Sequence, residues 1–268
     1  MNIDGFIGYL EEQERAENTI DLYVRGVKQF FEIYPEVSQE TVLKYKKQLM
    51  EKNKPKTVNA RLSGILSYCN YVGADVKVKG LKVPKALSVE NVISTEELNK
   101  LTKALLEAGN VRGYWIVMFL VKTGARVSEF TRFTKTGLMR GYEEMFTKGK
   151  VRRIYYPASL VKDSQKYFET VDGEILFPSV HLPKYRGKPL ISRGVAQMLK
   201  TMARKYGIRR EVMYPHGFRH YFAKQFLKNG GELTLLSDLL GHEDLATTAI
   251  YTRKSTAEIT DELSRLVR

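Results

Sequence analysis

The chain has a single cysteine, Cys69, among its 268 residues. One cysteine cannot form an internal disulfide, so the sequence excludes a disulfide-stabilised scaffold and is compatible with a reducing compartment. Cys69 lies between Tyr68 and Asn70 in a mainly apolar stretch. We expect it to be a small buried residue and not a reactive thiol.

Long apolar runs are also missing. No stretch approaches eighteen uninterrupted apolar residues, and the N-terminus has no basic segment followed by an apolar one. Neither a membrane span nor a signal peptide is therefore indicated. We expect a cytoplasmic protein that does not act at a membrane.

The sequence has little that could hold a metal or a nucleotide. One cysteine cannot make a thiolate zinc site, and the four histidines lack the spacing of metal ligands. No glycine-rich nucleotide-binding loop is present. The sequence predicts no cofactor and no metal.

Positive charge is abundant. The chain carries 44 lysines and arginines against 30 aspartates and glutamates, a formal net charge of +14. Such an excess predicts a polyanionic partner, although charge alone would fit DNA, RNA or an anionic membrane. The charge is concentrated in residues 44–61, whereas residues 1–40 are acidic. A solvated helix face is the alternative interpretation of the basic run.

Apolar periodicity predicts the fold. Residues 1–75 show helical spacing throughout and predict a four-helix domain. Residues 76–92, rich in lysine with a glycine and a proline, predict a linker. Residues 93–268 predict a second domain with a C-terminal helical tail, in which strand formers around Lys148 predict a hairpin. The predicted class is mainly α with a small antiparallel β-hairpin.

The candidate chemistry lies mostly near the C-terminus. His216 precedes Arg219 by three residues, so both side chains project from one face of a helix. Arg219 is a permanent cation whose planar guanidinium matches phosphate oxygens. Tyr251 is a potential nucleophile if cations and a proton acceptor lie beside it. Arg126, just after an apolar helical run, supplies a second cation.

These motifs closely resemble those of the tyrosine recombinase (integrase) family. The first arginine of the family matches Arg126, its His-x-x-Arg motif matches His216 and Arg219, its Leu-Gly-His motif matches His242, and its nucleophile matches Tyr251. The family also places a lysine on a β-hairpin between the first arginine and the histidine motif. Lys148 fits that place, with Lys150 as the alternative.

The resemblance implies a function and a role for each residue. The expected enzyme is a site-specific DNA recombinase that cleaves and rejoins strands through a 3′-phosphotyrosine. The implied roles are Tyr251 as nucleophile, Arg126 and Arg219 as the clamp on the nonbridging oxygens, Lys148 as general acid, His216 as acid/base, and His242 as hydrogen-bond donor to the phosphate. Glu129 is expected to orient an arginine or a histidine, whereas His181 and His220 are expected to be structural.

The resemblance also covers the N-terminal helices, which look like the DNA-clamping domain of the family. It implies a two-domain Xer-like or mobile-element recombinase, since about ninety residues leave no room for a further arm-binding domain. The implied partners are double-stranded DNA, three further copies of the chain in a homotetramer on two DNA sites, and accessory DNA-bending or directionality proteins. The candidate DNA-binding residues are Lys44, Lys47, Lys54, Lys56, Arg61, Lys79, Lys82, Lys150 and Arg152.

Two other functions remain open at this point. A sequence-specific DNA-binding protein without cleavage activity would explain the charge and a possible helix-turn-helix at residues 234–248, but not the set of catalytic residue types. A type IB topoisomerase would share the chemistry and act as a monomer. The sequence leaves undetermined the target DNA, the spacing of the cleavages, the direction of recombination and whether Tyr251 attacks in its own or a neighbouring active site.

Overall fold

The computed structural model describes residues 1–83, 89–147, 150–180, 183–242, 244–253 and 256–267. The predicted general acid Lys148 and the predicted structural His181 lie outside these residues. The chain divides into two compact units, Met1–Lys85 and Ala86–Arg268.

The N-terminal unit consists of four helices. They are α1 (Ile3–Glu12), α2 (Glu17–Phe31), α3 (Gln39–Lys52) and α4 (Pro55–Tyr71). Ser38 caps α3 by accepting a hydrogen bond from the Thr41 backbone N–H, and Pro55 begins α4, where its missing N–H costs nothing. Gly64 lets α4 approach α2 closely, because a Cβ at this position would lie 3.0 Å from the Cα of Tyr23.

The segment that follows α4 packs on the same unit. Val78 is buried in the core of the unit, and the Asn59 side chain bonds both the N–H and the carbonyl of Leu81. The Lys46 ammonium donates to the carbonyl of Lys79 at 2.7 Å. The sequence predicted a helical domain ending at residue 75 and a linker over 76–92. Within this predicted linker, residues 76–83 lie along the first unit and are held by hydrogen bonds from side chains to the backbone. Apolar periodicity does not report such bonds.

The second unit is also mainly helical. Its helices and strands are α5 (Thr95–Glu107), α6 (Val111–Thr123), α7 (Val127–Phe130), α8 (Lys135–Arg140), β1 (Tyr142–Thr147), β2 (Lys150–Tyr155), α9 (Ala158–Glu169), α10 (Ser192–Tyr206), α11 (Pro215–Lys228), α12 (Leu233–Leu240), α13 (Leu245–Thr248) and α14 (Thr256–Leu266). Short 3₁₀ turns occur at Pro183–Tyr185, Arg210–Val212 and Ala249–Thr252.

Helix α6 forms the centre of this unit. Most of its residues are buried, and Ile116, Phe119 and Leu120 are almost fully so. The helix ends at Gly124, which adopts the left-handed conformation with φ of 60°. Two residues later Arg126 is the N-cap of α7. The end of the central helix therefore fixes the position of the first candidate arginine.

The two strands form an antiparallel hairpin in which Tyr142 pairs with Tyr155 and Phe146 with Val151. The hairpin is anchored by the buried carboxylate of Glu143, which accepts hydrogen bonds from the backbone and hydroxyl of Thr134 and from the hydroxyl of Tyr156. The predicted fold class, mainly α with a small antiparallel hairpin, is confirmed. None of the helices in the described residues is long and apolar enough to cross a membrane.

Gly124 provides a test of this architecture. An added Cβ would lie 2.4 Å from the Phe222 ring, whereas at Gly109, with a similar φ of 65°, it would meet nothing within 4 Å. Gly109→Ala should therefore cost only the left-handed strain, about 1–2 kcal/mol. Gly124→Ala should cost about 1–3 kcal/mol more through the clash. The fluorescence of Trp115, the one tryptophan, in urea would report the unfolding of this unit. Equal losses in the two variants would contradict the tight packing at Gly124.

Candidate active site

The site is built on the C-terminal end of α12. Helix ends leave their last four carbonyls without intrahelical partners. Here the backbone N–H of Gly241 donates to Asp238 and that of His242 donates to Ser237, because Gly241 takes the left-handed conformation with φ of 60°. The carbonyls of Leu239, Leu240 and Gly241 can therefore accept hydrogen bonds from other parts of the chain.

Three arginines bind these three consecutive carbonyls. The pairs are Arg152 with the carbonyl of Leu239 at 2.6 Å, Arg219 with that of Leu240, and Arg126 with that of Gly241 at 2.9 Å. The arginines come from β2, from α11 and from the residue that precedes α7. The C-terminus of a helix carries partial negative charge, which favours cations. Three positively charged side chains from separate parts of the chain are therefore held together at the end of α12.

Arg219 lies deepest in this cluster, with 1% of its surface exposed. Its guanidinium also donates to the carbonyl of Gly124 at 2.8 Å and to the imidazole of His242 at 3.1 Å. Its Nε has no hydrogen-bond partner among the described residues. Burial, followed by the charges of Arg126 and Arg152, lowers the pKa of Arg219 to about 10. The guanidinium is therefore still charged at neutral pH.

Glu129 holds two of the arginines in place. Its carboxylate accepts the Arg126 backbone N–H at 2.6 Å and the Arg126 guanidinium at 3.1 Å, and it also pairs with Arg152. The side chain of Glu129 is only 7% exposed. Because one carboxylate faces three guanidiniums, the cluster keeps a net positive charge. The bond to Arg126 is of the orienting kind that the sequence suggested for Glu129.

The imidazole of His242 has a defined tautomer in this network. Arginine can only donate, so Nε2 of His242 accepts from Arg219 and Nδ1 carries the hydrogen that Thr248 Oγ1 accepts at 2.7 Å. Burial first, and then the neighbouring arginines, lower the pKa of His242 to about 4. The donation from His242 to a phosphate stays a prediction, since in this arrangement Nε2 is an acceptor.

Tyr251 lies beside the cluster, in the 3₁₀ turn after α13. Its ring is buried against Ala223 and Leu236. Its hydroxyl lies 2.9 Å from Nδ1 of His220. Burial raises the pKa of the Tyr251 phenol, and the charge of Arg219 opposes this shift. The phenol is therefore neutral in the resting protein.

His216 and His220 lie one helical turn apart on α11, and their rings meet edge to face with centroids 4.7 Å apart. Burial and the charge of Arg219 lower the pKa of His216. Burial, His216, Arg219 and His242 lower the pKa of His220 to about 4. At neutral pH both imidazoles are therefore neutral and can accept protons.

The structure brings together five of the predicted catalytic residues: Arg126, His216, Arg219, His242 and Tyr251. Lys148 lies outside the described residues, and of Lys150 only the backbone is described, at the start of β2. The predicted DNA-binding residue Arg152 belongs to the cluster, with its side chain 12% exposed and bonded within the unit. Strand alternation could have indicated this inward direction, because Arg152 and the buried Ile154 are two residues apart on β2 and so face the same side of the strand.

The sequence analysis predicted a structural role for His220. In the structure its imidazole contacts the hydroxyl of Tyr251. Its spacing of four residues from His216 was the signal, since such residues share a helix face. Apart from Lys150 and Arg152, the candidate DNA-binding residues lie on the N-terminal unit. Six of them are exposed and Arg61 is half-buried; the exposed ones are Lys44, Lys47, Lys54, Lys56, Lys79 and Lys82.

In the part of the chain that the structure describes, no group of three or more histidine, cysteine, aspartate or glutamate side chains could hold a metal ion. The groups of the site are guanidiniums, neutral imidazoles, one carboxylate and a phenol. Such a set can bind a phosphodiester, stabilise negative charge on its oxygens, and transfer protons.

The lowered histidine pKa values predict a pH dependence of stability. The pKa values of His220 and His242 are about 4 in the folded chain, against an ordinary 6.5. Between these values the unfolded chain binds more protons, so stability should fall as pH drops from 6.5 towards 4. Replacing both residues by glutamine should reduce the slope of unfolding free energy against pH by up to about 1.4 kcal/mol per pH unit for each proton.

The measurement is urea unfolding, followed by Trp115 fluorescence at a series of pH values. Wild type and the double variant should show parallel curves above pH 7, where neither state protonates these imidazoles, and should diverge below it. Parallel curves over the whole range would mean that the two histidines titrate normally in the folded chain.

Comparison with known proteins shows which family and which sequences this chain resembles. A model of the phage integrase family matches residues 91–258, more than half of the chain. The tyrosine recombinase XerA of Thermococcus onnurineus (strain NA1) is 28% identical over 273 residues, covering 99% of this chain and 95% of that protein.

Solved structures share the fold. A lambda integrase (75–356) dimer bound to a COC′ core site superposes with a TM-score of 0.74 at 16% identity, covering 94% of each chain. The XerH site-specific recombinase bound to its difH substrate gives a TM-score of 0.69 at 18% identity, covering 91% of this chain and 78% of that one. The chain thus belongs to the phage integrase family and is a tyrosine-type site-specific recombinase.

Proposed function

We propose that the chain cleaves and rejoins double-stranded DNA by attack of Tyr251 on a backbone phosphorus, forming a 3′-phosphotyrosine and releasing a 5′-hydroxyl. The observation that carries this proposal is the cluster of three guanidiniums on the last carbonyls of α12, next to a buried phenol. A metal-free site for phosphoryl transfer needs such fixed positive charge beside a nucleophile.

Arg126 and Arg219 form the clamp on the nonbridging oxygens. The side chain of Arg126 is 40% exposed, so a phosphate can reach its guanidinium from solvent. Arg219 is buried and keeps an unpartnered Nε among the described residues, which leaves it a donor for an incoming oxygen. Arg152 and Glu129 act as positioning residues, since they bond to Arg126 or to the same helix end.

The leaving 5′-oxygen needs a proton. Lys148 is the proposed general acid, with Lys150 as the alternative, because Lys150 begins strand β2, which carries Arg152 into the site, and Lys148 precedes it by two residues in the sequence. His216 is the proposed acid/base on the α11 side. His242 would donate to the phosphate once Nε2 is released from Arg219 and carries the hydrogen, with the Thr248 hydroxyl then donating to Nδ1.

The reaction needs neither ATP nor a metal ion in this proposal. The energy of the broken phosphodiester is kept in the phosphotyrosine until a DNA 5′-hydroxyl attacks it. Three fixed guanidiniums supply the positive charge that magnesium supplies in other phosphoryl-transfer enzymes.

The N-terminal unit is the proposed DNA clamp, with residues 1–75 as its helices, and the linker over 76–92 leads to the catalytic domain at 93–268. Exposed lysines on α3, on α4 and in the segment after α4 supply phosphate contacts. Related recombinases have been solved on DNA, which supports duplex DNA as the partner.

We further propose a homotetramer on two DNA sites, assisted by DNA-bending or directionality proteins. Helix α14 supports an assembly role, because it exposes Ile259, Leu263 and Leu266 at helical spacing. Exposed apolar residues in this arrangement fit a contact between protomers. The tail helix would then link neighbouring copies on the DNA.

Replacement of the nucleophile tests the proposal. Tyr251→Phe should abolish the SDS-resistant protein–DNA adduct while changing DNA affinity less than about threefold, because the ring packing is kept. The assay mixes wild type or variant with a pool of nicked duplexes of varied sequence in EDTA. Tyr221→Phe, on α11, removes a different phenol; it is the matched control and should keep the adduct.

A Tyr251-dependent adduct would also reveal the target site when its DNA is sequenced. Adduct formation by Tyr251→Phe would assign the nucleophile elsewhere. Tight binding without an adduct in wild type would support the non-cleaving DNA-binding function, and a strict requirement for magnesium would contradict the role given to the arginines.

The clamp can be tested through Arg126. Arg126→Ala should slow single-turnover cleavage by about 10²–10³, the usual effect of removing one donor to a developing oxyanion. Arg126→Lys should recover only part of the rate, since an ammonium lacks the planar fork. Arg204→Ala, on an exposed position of α10, is the control for lost positive charge. Equal rates in the Arg126 and Arg204 variants would remove Arg126 from the clamp.

A further inference from the structure

The hydroxyl of Tyr251 and the imidazole of His220 form a buried pair. The oxygen lies 2.9 Å from Nδ1, and Tyr251 is 6% exposed. His220 is on α11, one residue after Arg219, whereas Tyr251 is on the turn after α13. Two elements that are distant in sequence therefore bring an imidazole within hydrogen-bond distance of the oxygen that has to attack phosphorus.

Charged and titratable groups face His220 from several elements. His216, Arg219 and Lys224 are on its own helix, and His242 follows α12. From α14, Glu258 accepts the Lys224 ammonium at 2.8 Å. Burial first, and then His216, Arg219 and His242, lower the pKa of His220 to about 4.

The direction of the hydrogen bond between Tyr251 and His220 depends on the tautomer of the imidazole. A neutral imidazole among cations keeps its hydrogen on one nitrogen and a lone pair on the other. The phenol of Tyr251 is also neutral, because burial raises its pKa. In the tautomer with the hydrogen of His220 on Nε2, the phenol donates and Nδ1 accepts, which is the arrangement that a base requires.

We propose that His220 is the base that takes the phenolic proton of Tyr251 during strand cleavage. This proposal rests on the proposed function. As the bond from the Tyr251 oxygen to phosphorus forms, the O–H bond breaks and its proton passes to Nδ1 of His220. The bond from phosphorus to the 5′-oxygen breaks at the same time, and that oxygen takes a proton from the general acid. Rejoining reverses these transfers, with the imidazolium returning its proton to the departing phenolate.

Substrate binding supports this role. A DNA phosphate brings negative charge next to Arg126 and Arg219, and this charge offsets the cations that disfavour a second proton on His220. The imidazole thus becomes more basic when the phosphate is in place. His216, whose ring touches that of His220, remains available for the acid/base role on the other side of the reaction.

The test separates a base from a residue that only holds Tyr251. In His220→Gln an amide oxygen can still accept the hydrogen bond but cannot take the proton. Single-turnover adduct formation should fall about 10²–10⁴-fold, the usual contribution of a general base. The probes are two nicked duplexes of a sequence recovered from Tyr251-dependent adducts, one with an ordinary scissile phosphate and one with sulfur in place of the bridging 5′-oxygen.

A thiolate leaves without a proton, so the sulfur substrate should restore the rate of a variant that lacks the general acid, such as Lys148→Ala. It should not restore His220→Gln, because the proton of Tyr251 still needs an acceptor. Tyr221→Phe is the control on the neighbouring position and should react like wild type with both duplexes. DNA affinity and the urea midpoint by Trp115 fluorescence establish that His220→Gln is folded.

The outcomes are distinct. Wild-type rates in His220→Gln, or a defect that the sulfur substrate removes, would overturn the role of His220 while leaving Tyr251 as nucleophile. A rate that falls only in His220→Ala would reduce His220 to a positioning residue and overturn its role as base. Failure of wild type to form any Tyr251-dependent adduct would overturn the proposed function itself.

Discussion

The active site depends on the contact between the last carbonyls of α12 and three arginine side chains. Arginine does not lose its charge at working pH, so a buried guanidinium needs acceptors from the protein. The end of a helix offers unpaired carbonyls and a partial negative charge at one point. By binding Arg126, Arg152 and Arg219 there, the protein fixes α7, β2 and α11 around a common centre.

The same positive charge governs the other groups of the site. Burial first, and then this charge, lower the pKa values of the histidines, so that they remain neutral and can accept hydrogen bonds or protons. Glu129 offsets part of the charge and orients Arg126. The net positive charge that remains can bind the phosphate. The ring of Tyr251 is held by apolar neighbours, and only its hydroxyl enters this charged environment.

Much of this site could be predicted from the sequence, because its motifs have fixed spacing. Helix ends were also readable where caps mark them, as at Ser94 before α5. The path of residues 76–83 was not, since it depends on bonds from side chains such as Asn59 to a distant backbone. The inward direction of Arg152 and the contact of His220 with Tyr251 depend on tertiary packing, which local patterns only suggest.

The arginines bind backbone oxygens of α12 and not its side chains. Substitution along the helix would therefore leave the acceptors unchanged, as long as the helix ends at the same place. Gly241 is the exception, because it must turn the chain and lies against the Arg152 side chain. The outer surface of α12 is thus free to diverge between relatives, and new partner or DNA preferences can evolve there without altering the catalytic centre.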